Sequence, residues 1–138
     1  MKSPSGSSIA PMLSVRRGSE ALAFYKKAFD TEELFKIESD DGAVVAELGI
    51  GGARFWVADE SPEHLNYSPE SLNGSTTRMI LVVADPAAVY AKAVAAGARE
   101  IHPVGELYGW LMGRVQDPFG HHWEIGKPLQ TGMDEVTA

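Results

Sequence analysis

The chain has 138 residues, 44% of them apolar, and a formal net charge of -7 with no cysteine. That length suits one domain or two small modules sharing a core. The acidic balance and the lack of a basic stripe argue against nucleic acid. Missing cysteines exclude disulfides, thiolate metal ligands and a cysteine nucleophile.

The N-terminus, Met1 to Ser8, is small and polar, carries no apolar h-region and reads as a disordered tail over 1–8. The longest apolar run, Met79 to Ala84, is far too short to span a bilayer, so the expected setting is the cytoplasm with no membrane partner. Pro11 to Val15 reads as a short strand. Ser19 is placed to cap a helix whose apolar positions, Ala21, Leu22, Tyr25, Ala28 and Phe29, fall on one face. Glu33 to Ser39 reads as a strand, Asp40-Asp41-Gly42 as a hairpin turn, and Ala43 to Leu48 as the returning strand. Gly51-Gly52 turns again into a strand over Ala53 to Ala58. The first module, 9–59, is therefore β-α-β-β-β.

Residues 60–76 are rich in Ser, Pro, Asn and Glu and show no periodicity. They read as a linker, either a solvated connection or a lid over a site. Thr77 to Val83 is a strand. Asp85-Pro86 starts a helix with Asp as N-cap and Pro at N1, and Gly97 ends it. Val89, Tyr90, Ala93 and Val94 form its buried stripe. Ala98 to Val104 is a strand, Gly105 to Gly109 a turn, and Trp110 to Gln116 the returning strand. Asp117-Pro118-Phe119-Gly120 turns once more, and His121 to Gly126 is the last strand. The second module, 77–127, repeats β-α-β-β-β, and 128–138 is a polar tail.

The two modules keep a common offset. Val15 and Val83, Gly52 and Gly120, Phe55 and Trp123, and Val57 and Ile125 are each 68 positions apart (83 − 15 = 68). Alternation on the last strand puts His122 and Glu124 on one face and His121, Trp123 and Ile125 on the other. No Ser-His-Asp spacing, phosphate loop or carboxylate pair stands out.

A doubled β-α-β-β-β unit ending in Asp117-Pro118-x-Gly120-x-x-x-Glu124 resembles the vicinal oxygen chelate superfamily. That superfamily includes glyoxalase I, bleomycin-resistance proteins, fosfomycin-modifying transferases and extradiol dioxygenases. The resemblance covers residues 9 to 127. It rests on Ala23 to Phe29 in the first helix, Ala95-Ala96-Gly97-Ala98 closing the second, and Asp117 to Glu124. The wording Asp-Pro-Phe-Gly-His-His-Trp is most similar to the uncharacterised bacterial glyoxalase-like branch. The resemblance implies an α+β fold in which two βαβββ modules form paired half-cup sheets (glyoxalase/bleomycin-resistance-like). It also implies a small-molecule partner and a homodimer, with the modules paired within one chain or exchanged between chains.

In that superfamily metal ligands come from the first and last strand of each module. Carried over, the four positions are Ala10, Trp56, Arg78 and Glu124. Only Glu124 is a ligand type, against about three protein ligands for a catalytic ion. The resemblance thus points to a small-molecule-binding protein without the usual catalytic metal or other cofactor, its ligand in the cup between modules. Arg78 is expected to face Glu124 and stand in for the lost cation, either as a plain ion pair or as part of a ligand site. The alternative is a metal-dependent lyase or isomerase of the glyoxalase type. There Glu124 would be ligand or base and His122 a second ligand to a divalent Zn, Ni or Mn ion, with His64 or His102 as a third. Otherwise His122 is a hydrogen-bonding cup residue. Trp56, Met112, Trp110 and Tyr108 either line the cup as an aromatic wall or simply pack.

Overall fold

The computed structural model describes residues 6–129. The tail readings for 1–5 and 130–138 therefore lie outside the described residues. The element order is β1 (Met12–Val15), α1 (Gly18–Phe29), β2 (Glu32–Glu38), β3 (Val44–Ile50), β4 (Ala53–Asp59), α2 (Pro69–Leu72), β5 (Arg78–Val82), α3 (Pro86–Ala96), β6 (Arg99–Leu107), β7 (Trp110–Gln116) and β8 (His122–Pro128). The strands make two four-stranded sheets, ordered β1-β4-β3-β2 and β5-β8-β7-β6. In each sheet the first strand runs parallel to the last and the other pairs are antiparallel.

The register confirms the internal repeat. Met12 pairs with Trp56 and Ile80 with Glu124, so both strands of each pair shift by 68 (80 − 12 = 68; 124 − 56 = 68). The third strands shift by 67, since Glu47 pairs with Trp56 and Arg114 with Glu124 (114 − 47 = 67). The extra residue sits in the turn. Gly49 and Arg54 close over residues 50–53, whereas Gln116 and His122 close over 117–121.

The first helix departs from expectation at its start. Ser19 does not cap it; the helix begins at Gly18, and the side chain of Arg17 in the cap position makes no capping bond. The cap comes from a neighbouring strand instead. Asp59 accepts the Gly18 N–H at 3.2 Å and the Val44 N–H at 3.0 Å. A Cβ at Gly18 would stand 2.0 Å from Asp59 Oδ1, so only glycine admits this carboxylate so close. The second helix starts as read, with Asp85 accepting the Ala88 N–H at 3.2 Å and Pro86 in its first turn. The β6–β7 hairpin is longer than read. Its strands continue to Leu107, and Tyr108 and Gly109 alone turn, both at positive φ.

Residues 60–76 carry short elements tied down by polar contacts rather than by an apolar stripe. A 3-10 turn spans Pro62–His64, and Ser68 caps α2. Glu60 accepts the Ser68 N–H at 2.8 Å and the Ser71 hydroxyl at 2.9 Å, which together hold its carboxyl below the usual range. Arg17 reaches from α1 to Glu70 at 3.2 Å and to the Pro118 carbonyl at 3.2 Å.

The two long helices, α1 and α3, pack against each other. α1 packs on β3, β4 and α3, and α3 packs on β6, β7 and β8. Phe55 on β4 and Trp123 on β8 meet with ring centroids 5.4 Å apart, and Tyr25 touches both. Trp123, Tyr25, Leu48, Ile125, Val15, Val44, Val57 and Val115 are fully buried. Each such side chain contributes about 1.5–3 kcal/mol by leaving water. The two sheets thus share one core through their helix-bearing faces, and each keeps an open face. On these open faces Met12, Phe35, Ile80 and Val82 are left exposed in the single chain.

The Asp117 turn locks this core. Asp117 is buried and its Oδ1 accepts the Phe119 N–H at 3.0 Å and the His121 N–H at 2.9 Å. Its Oδ2 accepts the Trp123 indole N–H at 3.0 Å and the Tyr25 hydroxyl. Burial, then the Asp117 charge, raises the Tyr25 hydroxyl well above its ordinary pKa. His121 faces away from Glu124, as alternation requires. It is buried, and its Nε2 lies 2.9 Å from the Ser14 carbonyl on the first module.

Candidate functional site

Strand alternation and register assign the open-face residues. On the first sheet one row runs Met12, Trp56, Glu47, Phe35 across neighbouring strands. The corresponding row of the second sheet is Ile80, Glu124, Arg114, His102. One step along, the second sheet carries Arg78, His122, Gln116 and Arg99.

Glu124 is the centre of this surface. Its side chain is 15% exposed, and Oε2 receives the Arg114 guanidinium at 2.9 Å. Arg78 Nε approaches the same oxygen at 3.3 Å. Arg78 and Glu124, on the first and last strands of the second module, therefore meet within one sheet. Arg114 is the residue that sequence reasoning missed. The signal was present, because Arg114 shares a face with Met112 by strict alternation along β7.

His122 lies in the adjoining row, and its Nδ1 is buried without a hydrogen-bond partner. Burial first, then the Arg114 charge, lowers its pKa from the ordinary value and favours the neutral imidazole. Arg99 bonds Gln116 Oε1 through Nη2 at 2.7 Å on the same face. Arg114 and Glu124 border a hollow of about 210 Å³ that is also lined by Ile101, His102, Leu107, Met112 and Gly113. Met112 and Glu124 thus share a cavity. Trp110 lies at the far end of the same face, opposite Leu107 and Pro128. Trp56 belongs to the other sheet, where it packs edge-on against Phe35 at 5.9 Å. Tyr108 contributes to no wall; it sits at the hairpin tip, 92% exposed.

The four positions at which a metal would be held do not form a donor set. Ala10 is exposed ahead of β1, Trp56 and Arg78 offer no lone pair suited to a divalent ion, and Glu124 is engaged by two guanidiniums. Among the described residues no group of three or more His, Asp and Glu side chains stands close enough to hold an ion. His64 bonds Ser61 Oγ at 2.6 Å in the connecting segment, and His102 Nδ1 turns to the Pro103 carbonyl at 2.9 Å. Neither joins His122 and Glu124 as a third ligand.

A larger cleft of about 450 Å³ runs along β1, the connecting segment and β5, between Met12, Ser14, Tyr67, Leu72, Thr77 and His121. It contains none of the candidate residues. No described helix is long and apolar enough to cross a membrane.

Doubled βαβββ modules with half-cup sheets define the glyoxalase-type class of fold. The sequence model of the Glyoxalase/Bleomycin resistance protein/Dioxygenase superfamily matches residues 9–125, and the chain belongs to that superfamily. Uncharacterized protein Rv0887c of Mycobacterium tuberculosis is 36% identical over 136 residues, covering 94% of this chain and 80% of that one. The X-ray structure of the Arabidopsis thaliana At5g48480 product is 31% identical with a TM-score of 0.66, over 88% of this chain and 98% of that one. The fosfomycin resistance protein FosX from Listeria monocytogenes, solved with Mn(II) and sulfate, shares the fold at 14% identity, with a TM-score of 0.66 over 97% of this chain and 99% of that one.

Proposed function

We propose that this protein binds a small molecule on the open face of its second sheet and does so without the divalent metal used by glyoxalase-type enzymes. The observation that carries this reading is the engagement of Glu124 Oε2 by both Arg114 and Arg78. Two fixed positive charges fill the space and supply the charge that a cation would bring. A metal entering there would have to displace both guanidiniums and would find one carboxylate behind them. The hollow beside Glu124 offers apolar walls with polar groups at one end, the usual pattern of a ligand site.

The binding unit in this reading is a homodimer. Both open faces expose large apolar side chains: Met12, Phe35 and Ile37 on the first sheet, Ile80, Val82 and Ile101 on the second. A second copy covering them completes the cup, with Trp56 of one chain over the hollow of the other.

The test is elemental analysis of the purified protein together with its mass in solution. The expected result is a two-chain particle that retains no stoichiometric zinc, nickel or manganese after dialysis against each. One metal ion per chain, lost on Glu124→Ala, would overturn the metal-free reading. A monomer at micromolar concentration would remove the dimeric cup.

A further inference from the structure

We infer that the site takes an organic oxyanion, a short apolar body ending in a carboxylate or phosphonate, with its negative head between Arg78 and Arg114. The inference rests on the small-molecule reading above and names the ligand class. The chain as a whole is acidic, at -7. The open face of the second sheet has the opposite balance. Two guanidiniums, those of Arg78 and Arg114, meet a single carboxylate there, that of Glu124, and Arg99 lies one row along on Gln116. Neighbouring acids point elsewhere. Glu100 turns to the Tyr90 hydroxyl at 3.1 Å under α3, and Asp117 is closed inside its turn.

The guanidiniums are not used up by their protein partners. Arg78 meets Glu124 through Nε alone and Arg114 through Nη2 alone. Arg99 spends Nε and Nη2 on Gln116. Each retains N–H groups free to donate to an oxyanion in the paired geometry that guanidinium favours. Arg78 is 54% and Arg114 31% exposed, so both are reachable from the open side. His122 adds an imidazole whose buried Nδ1 has no partner.

Size sets the other half of the class. The hollow of about 210 Å³, walled by Ile101, Leu107 and Met112, is below the ~300–1,000 Å³ of drug-sized sites. It suits a single ring or a short chain. An amine in the same place would meet two like charges and a carboxylate whose Oε2 is already shared.

The experiment is NMR titration and calorimetry of the full chain with phenylacetate, benzylphosphonate, phenylacetamide and phenethylamine. Phenylacetate or benzylphosphonate is expected to bind at least about 10-fold more tightly than the amide, and the amine weakest of the four. The ranking of the two anions tells carboxylate from phosphonate. Arg114→Ala and Arg78→Ala are each expected to weaken the anion by about 10-fold. Glu124→Gln is expected to strengthen it, a gain that misfolding cannot produce. Equal binding of amide and anion at Met112 and Leu107 would overturn the oxyanion inference and leave the small-molecule reading standing. Weaker anion binding by Glu124→Gln would overturn the inference as well. If none of the four perturbs this face at millimolar concentration, both fall.

Discussion

The two open faces are built on one frame and carry opposite chemistry. Position for position, Trp56 corresponds to Glu124, Glu47 to Arg114, Phe35 to His102 and Met12 to Ile80. The first row holds two aromatic rings and an acid; the second holds an acid, a base and an imidazole. Behind them the covered faces match closely, with Phe55 against Trp123 and Val57 against Ile125. Duplication kept what the core requires and released what the open face displays. Packing constrains one side of each strand, while the other side is free to diverge.

The sharpest asymmetry behind the faces is the turn before the last strand, and it carries the largest predicted effect. In the second module Asp117 accepts bonds from Phe119, His121, Trp123 and Tyr25. In the first module the shorter turn over residues 50–53 has Ile50 at the corresponding place. Asp117→Ala leaves four donors without their acceptor and is expected to cost about 3–5 kcal/mol in denaturant unfolding. Ile50→Ala is expected to cost about 1 kcal/mol, since Ile50 is only partly buried. Comparable losses at both turns would mean that they do the same work.

Tyr25→Phe removes one of those donors and is expected to cost about 1–2 kcal/mol. It also changes the alkaline limb. The folded-state pKa of Tyr25 is raised above its ordinary 10.0. Its stabilising contribution is therefore full below pH 10 and is lost as pH rises through the folded value. The wild-type chain should lose stability above pH 10 more steeply than Tyr25→Phe, and parallel curves would remove Asp117–Tyr25 coupling from the account.

Much of this frame was legible in the sequence. The Asp-Pro and Gly signals, the 68-residue offset and the alternation of β8 lead to the register that the structure shows. Other features were not, each for a physical reason. The α1 cap comes from Asp59, far away in sequence, and a local reading naturally looked to Ser19. Residues 60–76 have no apolar period because polar contacts, Glu60 to Ser68 and Arg17 to Glu70, hold them. The site was half legible. Arg78 and Glu124 were named as a facing pair, and Arg114 follows from the same alternation that selected Met112. That the two sheets meet through Phe55 and Trp123 is a long-range contact that no strand pattern encodes.

The row holding His122 sharpens the comparison through pH, because its counterpart in the first module is Arg54 (122 − 54 = 68). Burial and the Arg114 charge put the folded pKa of His122 below 6.5. The neutral form is favoured in the fold, so its contribution is full above pH 6.5 and is lost as pH falls through the folded value. An NMR titration should give a midpoint below 6.5 that moves up, without reaching the ordinary value, in Arg114→Ala. A midpoint unmoved by that substitution would mean burial alone sets it.

The smallest effect separates the two ion pairs themselves. Arg54 and Glu47 approach to 3.6 Å with Arg54 60% exposed, whereas Arg114 and Glu124 meet at 2.9 Å with Arg114 31% exposed. Water screens the first pair and its long side chain loses entropy in forming it, so Arg54→Ala is expected to change unfolding stability by less than about 0.5 kcal/mol. Arg114→Ala withdraws the nearer partner of a carboxylate that is mostly covered, and is expected to cost about 1 kcal/mol. Arg78 remains to share the Glu124 charge, which keeps that loss small. If the two substitutions cost the same, the second face is no more organised around its charges than the first. The Arg114–Glu124 contact would then be an ordinary surface pair rather than the floor of a site.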